Sequence, residues 1–188
     1  MRKLKLQMQL SVDGYVAGPN GEMDWMRWDW GDDIKNYVKD FTAPVDTLLL
    51  GRKLAEGFIP HWAGLMQDPA TADHFTKKMV DTHKVVFSKT LKESAWENTD
   101  LAKGDLVEEV NKLKAMDGGD IVTYGGASFT SALIKAGLID EYHLFINPAA
   151  IGDGMPIFKQ LKGKLSLKLI KSQAFEIGIV VLFYVPAS

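Results

Sequence analysis

The stretch Ile121-Val122-Thr123-Tyr124-Gly125-Gly126-Ala127-Ser128-Phe129 joins a strand pattern to a helix pattern through two glycines. Strand-forming residues precede the glycines, and an amphipathic helix pattern follows them and stops at Gly137. Glycines let a backbone approach a ligand closely, and the free N–H groups of a helix start can hold a phosphate. A tight turn in which glycine only relieves strain explains the segment equally well. The stretch predicts a strand–helix unit and leaves a phosphate role open.

The composition excludes several classes of protein. The chain has 188 residues, 46% hydrophobic and 24% charged, which is typical of one globular domain over residues 1–188. The net charge is −2 without a basic stripe, so nucleic-acid binding is not expected. Cysteine is absent, which excludes thiol nucleophiles and disulfides and fits a cytoplasmic protein. The longest apolar run, 177–185, is far shorter than the ~20 residues of a membrane helix, so no membrane partner is expected.

Strand and helix patterns alternate through the first three quarters of the chain. This order favours a mainly parallel sheet covered on both faces. Apolar residues at alternate positions of 4–10 predict a first strand that is buried on one face. The strand patterns at 165–170 and 177–185 have too short a connection for a parallel crossover and predict an antiparallel hairpin. The 177–185 strand is predicted to be buried on both faces, and the sheet is predicted to be mixed.

Residues 54–84 carry a weaker pattern than the rest of the chain. A loop holding Pro60, Trp62, Gly64 and Pro69 is predicted, followed by a helix around residues 75–79.

Two other strand patterns end in residues suited to phosphate, Gly51-Arg52-Lys53 and Ser88-Lys89. Ligands of open α/β sheets bind beyond the carboxyl ends of the strands, and cationic side chains there can meet a phosphate. Taken singly, each segment is explained as well by an ordinary solvated turn. Their convergence with Gly125-Gly126 at one edge of the sheet would indicate a dinucleotide. Because the Gly-x-Gly-x-x-Gly fingerprint is missing, an ordinary Rossmann domain is not expected.

Candidate catalytic and substrate residues lie between the first two strands. Asp13 could orient a polar substrate or handle a proton, although Asp-Gly is also a common turn dipeptide. Asp32 or Asp33 could offer a carboxylate to a substrate or cap the helix that follows. Trp25 could stack on a flat heterocycle or pack in the core. The four histidines have no metal-ligand spacing, so no metal site is predicted.

The motifs of the chain also follow one another in a distinctive order. They are Ser11-x-Asp13-Gly14, Gly21 with Trp25, Asp46 with 48–53, 56–58 with Trp62, 86–91, 104–106, 124–126, 136–142, and Pro148 with Gly152-x-Gly154-x-Pro156-x-Phe158. Together they resemble the dihydrofolate-reductase-like proteins related to the C-terminal reductase domain of bacterial riboflavin biosynthesis. The resemblance spans nearly the whole chain. It implies a three-layer α/β/α fold with a mixed sheet, NADPH as cofactor, and a homodimer.

The resemblance also implies roles for individual residues. The turn 51–53 matches the cofactor-phosphate turn, 88–89 matches the segment near the adenosine phosphate, and 125–129 matches the pyrophosphate loop and helix start. The phosphate turn of this fold often continues with threonine, where this chain has Leu54. On the substrate side, Asp13 and Trp25 match positions around the nicotinamide.

The implied activity is NADPH-dependent reduction of a C=N or C=O bond in a small heterocycle, such as a pterin or an aminopyrimidine ribose derivative. Asp13 is the first candidate for a polar active-site role and Asp33 the second. The alternative hypothesis is a nucleotide-binding or sensing module that keeps the fold without turnover. A flavin in the same pocket is a further alternative.

Overall fold

A computed structural model describes residues 1–187, which form eight strands and five helices. In chain order the elements are β1 (Leu4–Leu10), α1 (Asp32–Thr42), β2 (Val45–Gly51), α2 (Arg52–Gln67), α3 (His74–Asp81), β3 (His83–Phe87), β4 (Thr99–Ala102), α4 (Leu106–Ala115), β5 (Asp120–Thr123), α5 (Ala127–Lys135), β6 (Glu141–Ile146), β7 (Leu167–Ala174) and β8 (Val180–Pro186). The strand–Gly-Gly–helix unit is confirmed as β5 and α5.

All eight strands form one sheet in the order β4-β3-β2-β5-β1-β6-β8-β7. The six strands from β4 to β6 are parallel, whereas β8 is antiparallel to β6 and to β7. The predicted mixed sheet and C-terminal antiparallel hairpin are confirmed. The carboxyl ends of the parallel strands lie at one side of the sheet, here called the carboxyl edge. Their first residues form the opposite side, the amino edge.

Helices cover both faces of the sheet, as predicted. The α1 face is covered by α1, α2 and α3, which bury Ile34, Ala55 and Met79. The α5 face is covered by α4 and α5, which bury Val110 and Leu133. The result is a three-layer α/β/α architecture. Within residues 1–187 no helix is long and apolar enough to cross a membrane.

The first strand, β1, is buried over its whole length, whereas the alternation predicted one buried face. It lies between β5 and β6 in the middle of the sheet, so helices cover its polar face too. That face carries Lys5, Gln7 and Gln9, which are at most 8% exposed. The Lys5 ammonium is compensated by the Asp120 carboxylate, 2.7 Å away. The prediction was wrong because polar side chains in this strand have buried partners rather than solvent.

The segment after β2 is the 16-residue helix α2 rather than the predicted loop. Pro60, Trp62 and Gly64 all lie inside this helix. The Trp62 ring contacts Phe75 of α3 edge-on, with ring centroids 5.3 Å apart. Tertiary packing of this kind outweighs the local breaking tendency of proline and glycine. The predicted helix around 75–79 is confirmed as α3, while the four-residue edge strand β4 was not predicted.

Two boundaries also differ from prediction. Helix α1 has Gly31 as its N-cap without a side-chain cap, so capping by Asp32 or Asp33 was wrong. Asp33 lies within the first turn, where one carboxylate oxygen accepts the Ile34 amide and the other accepts the Glu176 amide in the β7–β8 turn, at 2.9 Å. Strand β8 begins at Val180 and is mostly half-buried, so burial of 177–185 on both faces was also wrong. It lies next to the edge strand β7, which leaves it less covered than the central strands.

Candidate functional site

The turns that follow β2 and β5 meet at the carboxyl edge. A Cβ atom on Gly51 would lie 2.9 Å from the Phe129 Cβ, closer than real Cβ contacts. The missing side chain therefore lets the β2–α2 turn lie against the first turn of α5. Phe129 also packs on Phe87 at the end of β3, with ring centroids 5.2 Å apart. The three strand ends predicted to converge thus lie together around the Phe129 side chain.

The start of α5 has the features of an anion-binding helix terminus. Its N-cap is Gly126, with φ 79° and ψ 98°, and no side chain among residues 1–187 caps the helix. The first intrahelical bond runs from the Thr130 amide to the Gly126 carbonyl, at 2.9 Å. The amides of 127–129 precede that bond and point out of the helix end, where the helix dipole adds positive potential. Such a terminus suits a phosphate group.

Arg52 and Lys53 are the first two residues of α2 and flank the same space. The Arg52 guanidinium donates to Glu56 Oε1 at 2.7 Å, one helical turn away, and stays partly exposed. Lys53 is exposed. The Leu54 Cβ lies 3.7 Å from the Cβ position of Gly126, so this residue packs on the glycine turn. The start of α2 therefore presents two cationic side chains, next to the apolar contact between Leu54 and the glycine turn.

Ser88 and Lys89 have different surroundings at the end of β3. Ser88 is buried, and its Oγ accepts the amides of Thr90 and Leu91 at 3.2 and 3.0 Å. Its hydroxyl therefore stabilises its own turn. Lys89 is exposed, so its ammonium is the group at this strand end that can reach a phosphate.

Asp13 lies in the loop after β1 and binds a second loop. Its Oδ2 accepts the Gly152 amide at 2.7 Å and the Ile151 amide at 3.1 Å. Hydrogen bonding from the Ser11 hydroxyl, followed by the Gly152 amide, lowers the pKa of the Asp13 carboxyl. An exposed carboxylate with a lowered pKa is ionised at neutral pH and accepts hydrogen bonds rather than donating a proton.

Within residues 1–187, Asp33 and Trp25 form no hydrogen bond to the turns at 51–53, 88–89 or 125–129. Asp33 uses one carboxylate oxygen for the Ile34 amide, at 2.7 Å, and the other for Glu176. Trp25 is half-buried in the loop between β1 and α1, where its Nε1 donates to the Glu22 carbonyl at 3.3 Å. Asp33 therefore anchors α1 to the β7–β8 turn.

Three polar residues near the carboxyl edge were not among the candidate site residues, although Tyr124 belongs to the motif 124–126. Asn147 is fully buried just after β6, and its Nδ2 donates to Gln9 Oε1 at 2.8 Å. Gln9 Nε2 and the Tyr124 hydroxyl are buried and have no hydrogen-bond partner within residues 1–187. No local pattern reveals them, because Gln9 and Asn147 lie 138 residues apart in the chain.

A groove of about 560 Å³ lies away from these turns, between α2, α3 and the residues before β4. Its lining includes Phe58, Trp62 and Trp96, with Lys84 near the start of β3. The Lys84 ammonium donates to the carbonyls of Val80 and Thr82, so its charge is used to close the end of α3. None of residues 51–53, 88–89 or 125–129 lines this groove.

The fold matches solved structures of reductase-like proteins. A putative riboflavin biosynthesis protein from Shewanella sp. PV-4 is similar over 100% of both chains, with a TM-score of 0.74 and 25% identity. A diaminohydroxyphosphoribosylaminopyrimidine deaminase/5-amino-6-(5-phosphoribosylamino)uracil reductase from Thermotoga maritima has a TM-score of 0.70 and 16% identity. That match covers 99% of this chain and 57% of the other. The protein thus has the mixed-sheet α/β fold of dihydrofolate-reductase-like proteins.

The chain belongs to the RibD C-terminal domain family, whose model matches residues 2–181. It is 37% identical over 189 residues to the uncharacterized protein YyaP of Bacillus subtilis, covering 97% of this chain and 94% of that protein. It is 21% identical over 168 residues to the riboflavin biosynthesis protein RibD of Corynebacterium ammoniagenes, covering 86% of this chain and 49% of that protein. The resemblance drawn from the ordered motifs is confirmed.

Proposed function

We propose that this protein is an NADPH-dependent reductase that transfers a hydride to a small heterocycle of the pterin or aminopyrimidine class. The observation that carries the proposal is the contact between Gly51 and Phe129, which joins a cationic turn to an uncapped helix start. Two anion-binding elements side by side suit the several phosphates of a dinucleotide. The family and the reductase named among its structural relatives support the same class of reaction.

In this proposal the carboxyl edge holds the cofactor and presents its reactive end to the substrate. Arg52 and Lys53 bind a cofactor phosphate, Lys89 binds near the adenosine phosphate on a turn shaped by Ser88, and the amides of 127–129 bind the pyrophosphate. NADPH supplies the hydride when bound. The protein contributes orientation and charge, and Gly125 and Gly126 keep side chains away from the pyrophosphate.

On the substrate side, Asp13 orients a polar group and Trp25 offers a flat face for stacking. Because the pKa of Asp13 is lowered, this residue fits an orienting role better than proton donation at neutral pH. Asp33 holds α1 against the β7–β8 turn.

A second candidate function is a nucleotide-binding module without turnover. It is favoured by one observation: both candidate carboxylates, Asp13 and Asp33, already accept backbone amides. Loss of NADPH absorbance with any member of a panel of pterins, aminopyrimidines and simple carbonyls would establish turnover. Saturable NADPH binding without oxidation across that panel would favour the second candidate.

We further propose that residues 1–188 form one cytoplasmic domain that pairs as a homodimer. The edge strand β7 supports a dimer, because Leu169 and Ile170 are each 49% exposed on it. Light scattering should therefore give twice the chain mass of 20.9 kDa. Replacing both residues with lysine should give the single-chain mass, and a dimer that survives this change would exclude β7 as the interface.

The first test titrates the protein with NADPH and NADH and monitors binding by the quenching of the fluorescence of its five tryptophans. NADPH should bind more tightly than NADH. The double variant Arg52→Ala, Lys53→Ala should weaken NADPH binding at least about tenfold, equal to about 1.4 kcal/mol. Lys77→Ala is the matched control, because Lys77 forms the same kind of helical pair with Asp81, at 2.6 Å on α3. Unchanged NADPH affinity in the double variant would contradict the assignment of 52–53.

A further inference from the structure

The groove between α2, α3 and the residues before β4 has aromatic side chains in its lining that the fold leaves half-buried. They are Phe58 and Trp62 of α2, and Trp96 in the segment that precedes β4. The Phe58 and Trp62 rings meet edge-on, with centroids 5.9 Å apart. The volume of about 560 Å³ lies in the range of small-molecule sites. The groove therefore has the size and the lining of a binding site.

The two α2 rings of the groove are held in place by aromatic side chains outside its lining. Phe58 stacks on Tyr124, with centroids 5.7 Å apart and planes 22° apart. Trp62 contacts Phe75 edge-on, with centroids 5.3 Å apart. Because these rings are already ordered, a ligand that packs on them loses little free energy in fixing them.

The charges of the groove favour a cationic ligand. The lining carries two carboxylates, Asp81 and Glu97, and one ammonium, Lys84, which together give a formal net charge of −1. Lys84 is buried and donates to the carbonyls of Val80 and Thr82. Its positive charge therefore lies against the negative end of the α3 dipole and is compensated there.

Glu97 is the carboxylate of the groove that remains for a ligand. Asp81 is paired with the Lys77 ammonium, 2.6 Å away on α3. Glu97 is exposed, and within residues 1–187 its carboxylate forms no ion pair or hydrogen bond, since Thr99 donates to its backbone carbonyl. It directly follows Trp96 in the chain. A negative charge without a partner therefore adjoins an aromatic side chain of the groove.

We propose that this groove binds a small organic cation with an apolar body, of the quaternary ammonium class. Aromatic faces attract cations, tryptophan most strongly, and a quaternary ammonium needs no hydrogen-bond acceptor from the lining. Glu97 supplies the opposite charge. An anion of the same shape would meet this carboxylate, and the Lys84 ammonium is already engaged by carbonyls. The inference does not depend on the proposed reductase function.

The test titrates the full chain with benzyltrimethylammonium and with phenylmethanesulfonate, an anion of similar shape. Calorimetry should show a preference of at least about fivefold for the cation. Heteronuclear NMR follows the indole N–H signals of the five tryptophans, assigned by replacing each in turn with phenylalanine. The cation should shift the signals of Trp62 and Trp96. Trp25, Trp28 and Trp30 lie in the loop between β1 and α1 and are internal controls that should not shift.

Two variants test the separate contributions of charge and aromatic surface. Glu97→Gln should weaken binding of benzyltrimethylammonium about threefold, because it removes the carboxylate beside the cation. Glu93→Gln is the matched control, since Glu93 is exposed in the same segment, carries the same charge and does not line the groove. Trp96→Leu should weaken binding at least about fivefold.

Several outcomes would overturn the inference. They are no binding of the cation, equal affinity for the cation and the anion, indole shifts confined to the loop tryptophans, and equal affinities in Glu97→Gln and Glu93→Gln. Because Glu97 is exposed, the comparison of these two variants remains decisive even if Trp96→Leu does not fold.

Discussion

The two edges of the sheet satisfy their polar groups in different ways. At the amino edge, Arg2 pairs with Asp46, the Lys5 ammonium lies 2.7 Å from Asp120, and the Lys3 ammonium lies 2.6 Å from Glu141. At the carboxyl edge two strands, β2 and β5, run into glycines, α5 begins without a side-chain cap, and buried donors have no partners in the described chain. The amino edge is closed by ion pairs within the protein, whereas the carboxyl edge leaves groups that a ligand can complete.

This difference indicates that stability and binding are separated along the same strands. Functional sites commonly retain unsatisfied groups that lower stability, and the rest of the fold must compensate for them. Substitutions at the amino edge should therefore reduce stability without altering ligand preference. Substitutions at the carboxyl edge should reduce binding more than stability.

The largest effect is expected from Gly119→Ala at the amino edge. The added Cβ would overlap the Pro44 carbonyl oxygen, which also accepts the Asp120 amide at 2.8 Å. Because backbone atoms cannot yield easily, we expect a loss of about 3 kcal/mol or more in the free energy of unfolding, measured in urea. The matched change at the carboxyl edge, Gly51→Ala, would place its Cβ 2.9 Å from the Phe129 Cβ, a milder overlap than the one with the Pro44 oxygen, so it should cost less stability. Equal losses would contradict the comparison.

A smaller loss is expected from Glu141→Ala. The side chain of Glu141 is 9% exposed and lies 3.8 Å from the buried Lys5 ammonium as well as beside Lys3. Removing one partner of a buried ion pair costs about 3–5 kcal/mol, and the lower end applies because Lys5 keeps Asp120. Glu56→Ala breaks the exposed pair with Arg52 and should cost less than about 1 kcal/mol. Urea unfolding of both variants measures the difference.

The same carboxylate gives a pH dependence with a defined sign. Hydrogen bonds from His143 and then Lys3 lower the pKa of Glu141 to about 2. Its stabilising contribution is therefore complete above the ordinary value of 4.5 and is lost as the pH falls toward 2. Wild type and Glu141→Gln should converge in stability across that range. A difference that stays constant would show that the charge of Glu141 is not responsible.

An intermediate effect is expected at the two ends of α5. Gly126 and Gly137 both have positive φ, 79° and 67°, so alanine at either should cost about 1–2 kcal/mol. Gly137 closes the far end of the helix, where an added Cβ meets nothing within 4 Å. Gly137→Ala should therefore leave NADPH binding unchanged, whereas Gly126→Ala should weaken it. Equal NADPH affinity in the two variants would argue against a pyrophosphate at α5.

The smallest effect is expected from His143, which lies on β6 against α1. Burial lowers the pKa of its imidazole, while Glu141 and Lys5 from the strands and Tyr37 from α1 surround it. Below about pH 6.5 the unfolded chain therefore takes up a proton that the folded protein does not. The free energy of unfolding consequently decreases as the pH falls. His143→Gln should lose less thermal stability between pH 7 and 5 than the wild type. His61→Gln, on the exposed surface of α2, is the control and should follow the wild type.

Much of the fold could be predicted because local patterns agree with tertiary structure. The β5–Gly-Gly–α5 unit, the stop at Gly137 and the C-terminal hairpin are all encoded within short segments. Helix α2 was missed because Pro60 and Gly64 are local breaking signals, whereas the packing of Trp62 on Phe75 is tertiary. The burial of Lys5 was missed for the same reason, since Asp120 is distant in the sequence.

The residues of the candidate site fall into the same two groups, those with a local sequence signal and those that depend on tertiary contacts. Turn residues such as Gly51 and Gly126 carry a local signal and could be named from the sequence. Gln9 and Asn147 could not, because each is an ordinary polar residue until the fold joins strands that are far apart in the chain. The hydrogen bonds of Asp33 were likewise unpredictable, because the β7–β8 turn that receives them lies at the other end of the sequence.

The central place of β1 has a consequence for how the chain reaches this structure. Its two neighbours in the sheet are far away in the sequence. Arg2 and Gly119, which are hydrogen-bonded, are 117 residues apart, and Lys3 and Glu141 are 138 residues apart. Such non-local pairing slows folding, because a long loop must close before any contact forms. Strand β1 therefore waits, with Leu4, Leu6 and Met8 uncovered, until β5 and β6 have been synthesised. Refolding yield should depend on protein concentration, since that waiting strand can pair with another copy.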